Sequence, residues 1–122
     1  MQSQDLQKHQ WKNRLIIIAS PTFDNDAAQI QLAFLKNNKE GLKDRKLVVY
    51  HVTNGGYSID FASEILVSGN STSEITHFNV ALIGLDGTEK FHARSPQSAQ
   101  KFYDLIDQMP MRKAELNRTN DN

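Results

Sequence analysis

At 122 residues the chain has the length of one domain, able to bury roughly 65% of its unfolded surface, and Leu, Ile, Val and Phe form about a quarter of it, above the level at which chains stay disordered. Fourteen Lys and Arg balance fourteen Asp and Glu, which argues against a general nucleic-acid binder. The absence of cysteine excludes disulfides, thiol chemistry and Cys-ligated metal, and the longest apolar run, Leu15–Ala19, is far short of the ~20 residues that cross a bilayer.

The start, Met1 to Lys8, is polar and lacks the apolar core of a signal peptide, although a chain whose signal had been removed would begin in the same way. Leu15-Ile-Ile-Ile-Ala19 is a continuous, mostly β-branched run bounded by Ser20-Pro21, the mark of a strand buried on both faces and central in its sheet. Asp24, Asn25 and Asp26 then supply N-cap candidates and first-turn acids. Ala27, Ile30 and Phe34, with Ala28, Leu32 and Leu35, recur at helical spacing and predict a broad apolar face, and Gly41 ends or breaks this helix. Leu47–Val52 predicts a second strand, so that strand, helix and strand form a right-handed parallel βαβ unit.

The middle is less regular. Asn54-Gly55-Gly56 and Gly69–Ser73 read as turns or loops, and Ile59, Ala62 and Ile65-Leu66 between them suggest a short helix or irregular segment. Val80–Leu85 predicts a third strand, and Asp86-Gly87 joins it to Thr88–Ala93 as a hairpin. Its expected type I′ turn needs positive φ at both central residues. Ser95-Pro96 predicts a helix start with proline at the first position. Ala99, Phe102, Tyr103, Ile106 and Met109 follow as the clearest helical stripe in the chain. The tail 117–122 is polar and is expected to fray.

The order is therefore β-α-β, a connecting segment, a β-hairpin and a last helix. A parallel βαβ unit followed by an antiparallel ββα unit around a mixed central sheet is the core order of the thioredoxin-like fold, in the α/β class. One such domain accounts for residues 1–122, with its core at about 6–116.

Four segments carry a resemblance to a known family. They are Trp11-Lys-Asn-Arg-Leu-Ile-Ile-Ile, Gly41-Leu-Lys-Asp-Arg-Lys-Leu-Val-Val49, Leu82-Ile-Gly-Leu-Asp-Gly-Thr-Glu-Lys90 and Ile106-Asp-Gln-Met-Pro-Met-Arg-Lys-Ala-Glu-Leu116. Together they resemble the DUF4174 family of thioredoxin-like domains. The resemblance implies the fold and an exported habit, hence a periplasmic or secreted location. Members occur in small bacterial proteins and in vertebrate extracellular-matrix proteins. It implies no activity, cofactor or catalytic residue.

In a thioredoxin-like fold chemistry is expected in the loop after the first strand, where a helix dipole favours an anion. Here that loop is Ser20-Pro-Thr-Phe-Asp-Asn-Asp26, with two carboxylates where a redox enzyme wants a thiolate. The segment Thr76-His-Phe-Asn79 before the third strand also lacks the proline that such enzymes place beside their disulfide. These features exclude a thiol–disulfide oxidoreductase or thiol peroxidase, whose mechanisms pass through a thiolate. Asp24 and Asp26, with Ser20 and Thr22, could offer oxygen to a hard cation, but the glycine and bidentate Glu of a calcium loop are missing, and N-capping with dipole compensation explains the loop. His51, His77 and His92 share no ligand spacing, and no nucleophile-elbow pattern supports a Ser/His/Asp triad. No cofactor or metal is expected.

The neutral total hides a segregation of charge. Residues 1–46 and 90–122 are net basic, whereas 47–89 hold five acids and no Lys or Arg. Arg94 and Arg112, among late basic residues that include Lys90, Lys113 and Arg118, could meet an anionic ligand. Alternatively Arg112 and Arg45 anchor loops through carboxylates. Trp11 is expected to cover a sheet edge or the end of the core. Asn70-Ser-Thr72 and Asn117-Arg-Thr119 match the glycosylation acceptor pattern, which is short and by itself uninformative. The residues thus suggest a non-redox binding module whose partner is a protein or an anionic ligand. An enzyme of another class near loop 20–26 and a subunit of an assembly are the alternatives.

Overall fold

A computed structural model describes residues 9–66 and 74–120, with side chains to residue 116. The Gly69–Ser73 turn and the acceptor site at Asn70 lie outside the described residues. The order is β1 (Arg14–Ala19), α1 (Asp26–Lys36), α2 (Lys39–Asp44), β2 (Leu47–Thr53), β3 (Gly56–Ile59), β4 (Asn79–Ile83), β5 (Glu89–Ala93), α3 (Ala99–Asp107) and α4 (Pro110–Asn120).

The strands form one sheet in the order β3-β2-β1-β4-β5. β1 runs parallel to β2 in the register Leu15 to Val48 and Ile18 to His51, and antiparallel to β4, with Ile17 opposite Ala81. The apolar run that predicts a central strand is central, with both of its edges paired and Ile16 and Ile18 buried beneath the helices. The mixed sheet and its helices form the thioredoxin-like α/β architecture.

Alternation along the strands sorts side chains between two faces. On one face Ile16, Ile18, Val49, Val80 and Leu82 pack beneath Ala28 and Leu35 of α1, Leu42 of α2, and Phe102 and Ile106 of α3. The other face carries a smaller cluster of Leu15, Ile17 and Tyr50, joined by Val48, Val52 and Ile83.

Several local expectations are corrected. On α1 the inward stripe is Ala28, Gln31 and Leu35, while Ile30 and Phe34 face solvent. Gln31 is buried because its amide closes a pair of hydrogen bonds with Gln97, donating to the carbonyl and accepting from the N–H at 2.8 Å each. A glutamine that satisfies both amide atoms can replace an apolar residue in the core. Gly41 lies within α2, and the break falls at Asn37 and Asn38. A Cβ at Gly41 would stand 2.7 Å from the Tyr103 ring, so this glycine makes room for an aromatic neighbour.

The stretch after Asn54 and Gly55 forms an edge strand, β3, paired with β2 from Thr53–Gly56 to Tyr50–Ile59. The Thr53 hydroxyl holds the turn, donating to the Gly56 carbonyl and accepting from the Gly55 N–H. Beyond it Asp60 and Phe61 are left-handed, and Leu66 returns as a single bridge to Tyr57, so this part is irregular. α3, the helix expected to be last, starts after Ser98, whose hydroxyl accepts from the Lys101 N–H; Ser95-Pro96 lies outside it. A further helix, α4, begins at Pro110, a residue suited to a first helical position. Its backbone continues through residues 117–120, where fraying is the expectation from sequence.

In the β4–β5 hairpin Gly87 has φ +84, and no other residue of the turn has positive φ. The Gly87 N–H reaches the Gly84 carbonyl at 3.0 Å, and the register shifts by one residue between Leu82 and Ile83. These are the marks of a three-residue loop closed by a left-handed glycine and a bulge, in place of the expected type I′ turn. Gly87→Val should therefore lower the melting temperature measurably, since a Cβ at positive φ costs ~1 kcal/mol or more, while Thr88→Ser should leave it nearly unchanged. Equal melting temperatures in a thermal scan would refute this placement of the turn.

Candidate functional site

The loop 20–26 begins where β1 ends. The Ser20 N–H donates to the Val52 carbonyl at 3.0 Å, continuing the ladder, and its side chain is fully buried. Its hydroxyl donates to the Thr22 carbonyl at 2.7 Å. The one hydroxyl proton is then committed, so at the 2.8 Å contact Ser20 Oγ accepts from His51 Nε2. A base-activated nucleophile needs the opposite polarity, with the hydroxyl proton aimed at the imidazole. Burial lowers the His51 pKa, and the Phe23 ring meets the imidazole edge-on at 5.1 Å. The pair is a clasp between β2 and the loop.

The other loop residues serve the helix. Asn25 Oδ1 accepts from the Ala28 N–H at 3.0 Å, so asparagine is the N-cap. Asp24 instead accepts the Thr22 hydroxyl at 2.7 Å, and Asp26 sits exposed in the first turn. Asn25→Ala is expected to cost ~0.5–2 kcal/mol and Asp24→Ala within ~0.5 kcal/mol, read by chemical denaturation. Millimolar calcium should leave the wild-type curve unmoved; an upward shift abolished by Asp24→Ala would make the loop a cation site.

Arg94 is exposed just beyond β5. The register Ala93–Val80–Ile18 places it at the same end of the sheet as loop 20–26, with β4 between them. Arg112 is at the other end and is buried. Its guanidinium bonds Asp107 at 3.1 Å, Asp44 at 2.6 Å and Glu115 at 3.4 Å. Arg45 forms a two-pronged contact with Asp107 at 3.1 and 2.9 Å and lies 4.1 Å above the Tyr103 ring. Arg14, fully buried, donates to Glu115 at 3.1 Å and to the Arg45 carbonyl at 2.9 Å. Burial alone would raise the Asp107 pKa, but hydrogen bonds from Arg45 and Arg112 outweigh it and hold the carboxyl below its ordinary value. Burial likewise opposes the Arg112 charge, and the bond to Asp44 with its companions more than offsets it. Three arginines and three carboxylates thus bolt α4 and α3 to the starts of β1 and β2. Arg112 is not brought together with Thr22, Asp24 and Asp26, and anchoring is the role its contacts describe.

The histidines do not converge. His51 is buried against the helical layer, His92 is exposed on β5 with Nε2 3.0 Å from Asn79 Oδ1, and His77 precedes β4. Among the described residues no group of three or more His, Asp or Glu could hold a metal ion. No helix among them is long and apolar enough to cross a membrane.

A concavity lies on the sheet face away from α1 and α3. It is a groove of about 470 Å³ running along β1 and β4. Ala19, Ala81 and Ile83 reach solvent on its floor, with Leu15 and Ile17 deeper. The small pair at Ala19 and Ala81 creates the depression. Amides of Gln10, Asn13 and Asn79 edge it, and His9 closes one end. His9 Nδ1 contacts Asn13 Oδ1 at 3.1 Å, while its Nε2 meets the Tyr50 hydroxyl at 2.7 Å. Asn13 Oδ1 can only accept, so Nδ1 carries the proton and Tyr50 donates to Nε2. Trp11, expected to cover a sheet edge or the end of the core, is instead 62% exposed, with its backbone N–H donating to the Leu85 carbonyl. Sequence alone missed this groove, because alternation marks a face as apolar without telling what covers it.

Asp86 and Glu89 stand on the groove wall. The Thr88 N–H and hydroxyl bond Asp86 Oδ1 at 3.0 and 2.7 Å, and Lys90 reaches Oδ2 at 3.0 Å. These bonds, the backbone one foremost, lower the Asp86 pKa from 3.8 to about 2. A carboxyl whose folded value is depressed stabilises the fold above its unfolded value, and that contribution fades as pH falls from 3.8 toward 2. The wild-type melting temperature should therefore fall more steeply across this window than that of Asp86→Asn. Parallel curves would refute the role of Asp86.

The domain-of-unknown-function family DUF4174 matches residues 5–115, nearly the whole chain. Among solved structures, the reduced 2-Cys peroxiredoxin of Plasmodium vivax aligns with a TM-score of 0.61, covering 89% of this chain and 84% of that one at 10% identity. At that identity the likeness is one of fold, and the two cysteines for which that protein is named have no counterpart in a chain without cysteine.

Proposed function

We propose, given that the chain belongs to the DUF4174 family of domains of unknown function, that it is a non-redox thioredoxin-like binding module whose ligand surface is the groove along β1 and β4. The observation that carries this reading is the one-sided helical layer. α1, α2 and α3 contribute to the large cluster on one face, and the opposite face of the central strands holds the concavity. Concave, mostly apolar sites with a few polar groups at the edge are the usual form of ligand surfaces. The loop favoured by fold analogy has its side chains spent on capping and on the Ser20–His51 clasp. An anionic ligand has less support, since Arg45 and Arg112 are engaged with carboxylates. The exported habit implied by the family supports a periplasmic or secreted location.

A displayed-peptide library selected on the wild-type protein and on Ala81→Arg tests the reading. Arginine at 81 fills the depression without touching loop 20–26. Peptides enriched on the wild type should be lost on the variant. Peptides retained equally by both would place the binding surface elsewhere.

A further inference from the structure

We infer that the groove receives a cationic amphipathic helix of a protein partner, its apolar stripe on Ala19, Ala81 and Ile83 and its Lys or Arg residues beside Glu89. This rests on the groove being the binding surface. Two observations carry the inference further.

The first is the kind of strand that forms the floor. β1 is apolar from Leu15 to Ala19, on both of its faces, and pairs in parallel with β2. A strand that reads as a continuous apolar run, rather than as an alternation of apolar and polar residues, is typical of a sheet covered on both faces. Here α1 and α3 cover one face from within the chain. A helix lying along β1 would complete the second layer, and Ala19 and Ala81 leave the depth its larger side chains need. Recognition of an amphipathic helix by an apolar groove is a recurrent mode of peptide binding.

The second is the charge of the wall. Asp86 and Glu89 are the Asp and Glu residues on it, and Lys90 is spent on Asp86. Glu89 is exposed, with no ion pair among the described residues. One net negative charge therefore remains at the hairpin end of the groove, within a segment, 47–89, that contains no Lys or Arg. Amides and His9, whose Nδ1 donates to Asn13 while its Nε2 accepts from Tyr50, form the remaining edge, which imposes no opposing charge. A partner with a cationic polar face gains steering and register from this wall, while an anionic one is repelled.

Trp11 is the single tryptophan, exposed and adjacent to Gln10 on the groove edge, and so reports binding by fluorescence. The full-length protein is titrated with a synthetic amphipathic helix of leucine and lysine, and with the same peptide carrying glutamate for lysine. The lysine peptide should bind, weaken as salt rises, and lose about tenfold in affinity on Glu89→Lys, while the glutamate peptide should bind far less. Glu89 is exposed, so this variant folds even where Ala81→Arg does not. Equal binding of both peptides, lost on Ala81→Arg but unaffected by Glu89→Lys, would overturn the cationic partner and leave the groove reading standing. Failure of both peptides, with library binders indifferent to Ala81→Arg, would overturn both. Sedimentation showing a dimer that Ala81→Arg dissociates would assign the groove to a second copy and overturn the inference.

Discussion

Glu115→Leu is expected to lose about 3–5 kcal/mol of stability. Glu115 is the carboxylate that Arg14 reaches, and Arg14 is fully buried with its Nε already lacking a hydrogen-bond partner. Removing the carboxylate leaves a guanidinium charge inside the protein facing a leucine. The desolvation already incurred is then no longer offset. The double variant Arg14→Met with Glu115→Leu should recover much of the loss, because two apolar residues of similar volume need no compensation. Urea denaturation of wild type, both single variants and the double variant checks this. A double variant no more stable than Glu115→Leu alone would show that the cost lies in packing of α4 rather than in the orphaned charge.

Phe102→Ala should cost about 3–5 kcal/mol, because the ring is fully buried between α3 and the sheet and cannot be replaced by collapse of its neighbours. It meets Phe91 of β5 edge-on at 6.1 Å, so the substitution also removes an aromatic pair. Phe34→Ala removes the same side chain from the outer face of α1, where it is exposed, and should change stability by well under 1 kcal/mol. Thermal or denaturant unfolding of the two variants separates them. Similar losses would mean that α1 is turned the other way on the sheet.

The helical stripe Ala99, Phe102, Tyr103 and Ile106 and the central strand Leu15–Ala19 were legible because each is long, regular and buried along one direction. On α1 the expected stripe fails at Ile30 and Phe34, since periodicity shows that two apolar rows exist and cannot choose which meets the sheet. Gln31 took the inward place because Gln97, 66 residues away, satisfies its amide. β3 was not foreseen for a similar reason. Four residues that begin with a glycine at φ +143 carry little strand signal of their own, and their pairing is provided by β2.

The candidate site divides in the same manner. Sequence by itself determined that no thiol chemistry occurs, that loop 20–26 starts a helix, and that the order of elements is thioredoxin-like. These follow from residue type and local spacing, which act over a few bonds. Only the tertiary structure decided that Arg112 is an anchor rather than an open cation, since Asp44 lies 68 residues earlier in the chain. Only the fold, too, set Ala19 and Ala81 diagonally across β1 and β4 on one groove floor and put Asp86 and Glu89 on its wall. Such features arise from which faces and strand ends meet, and burial and charge pairing are properties of that meeting rather than of the residues alone.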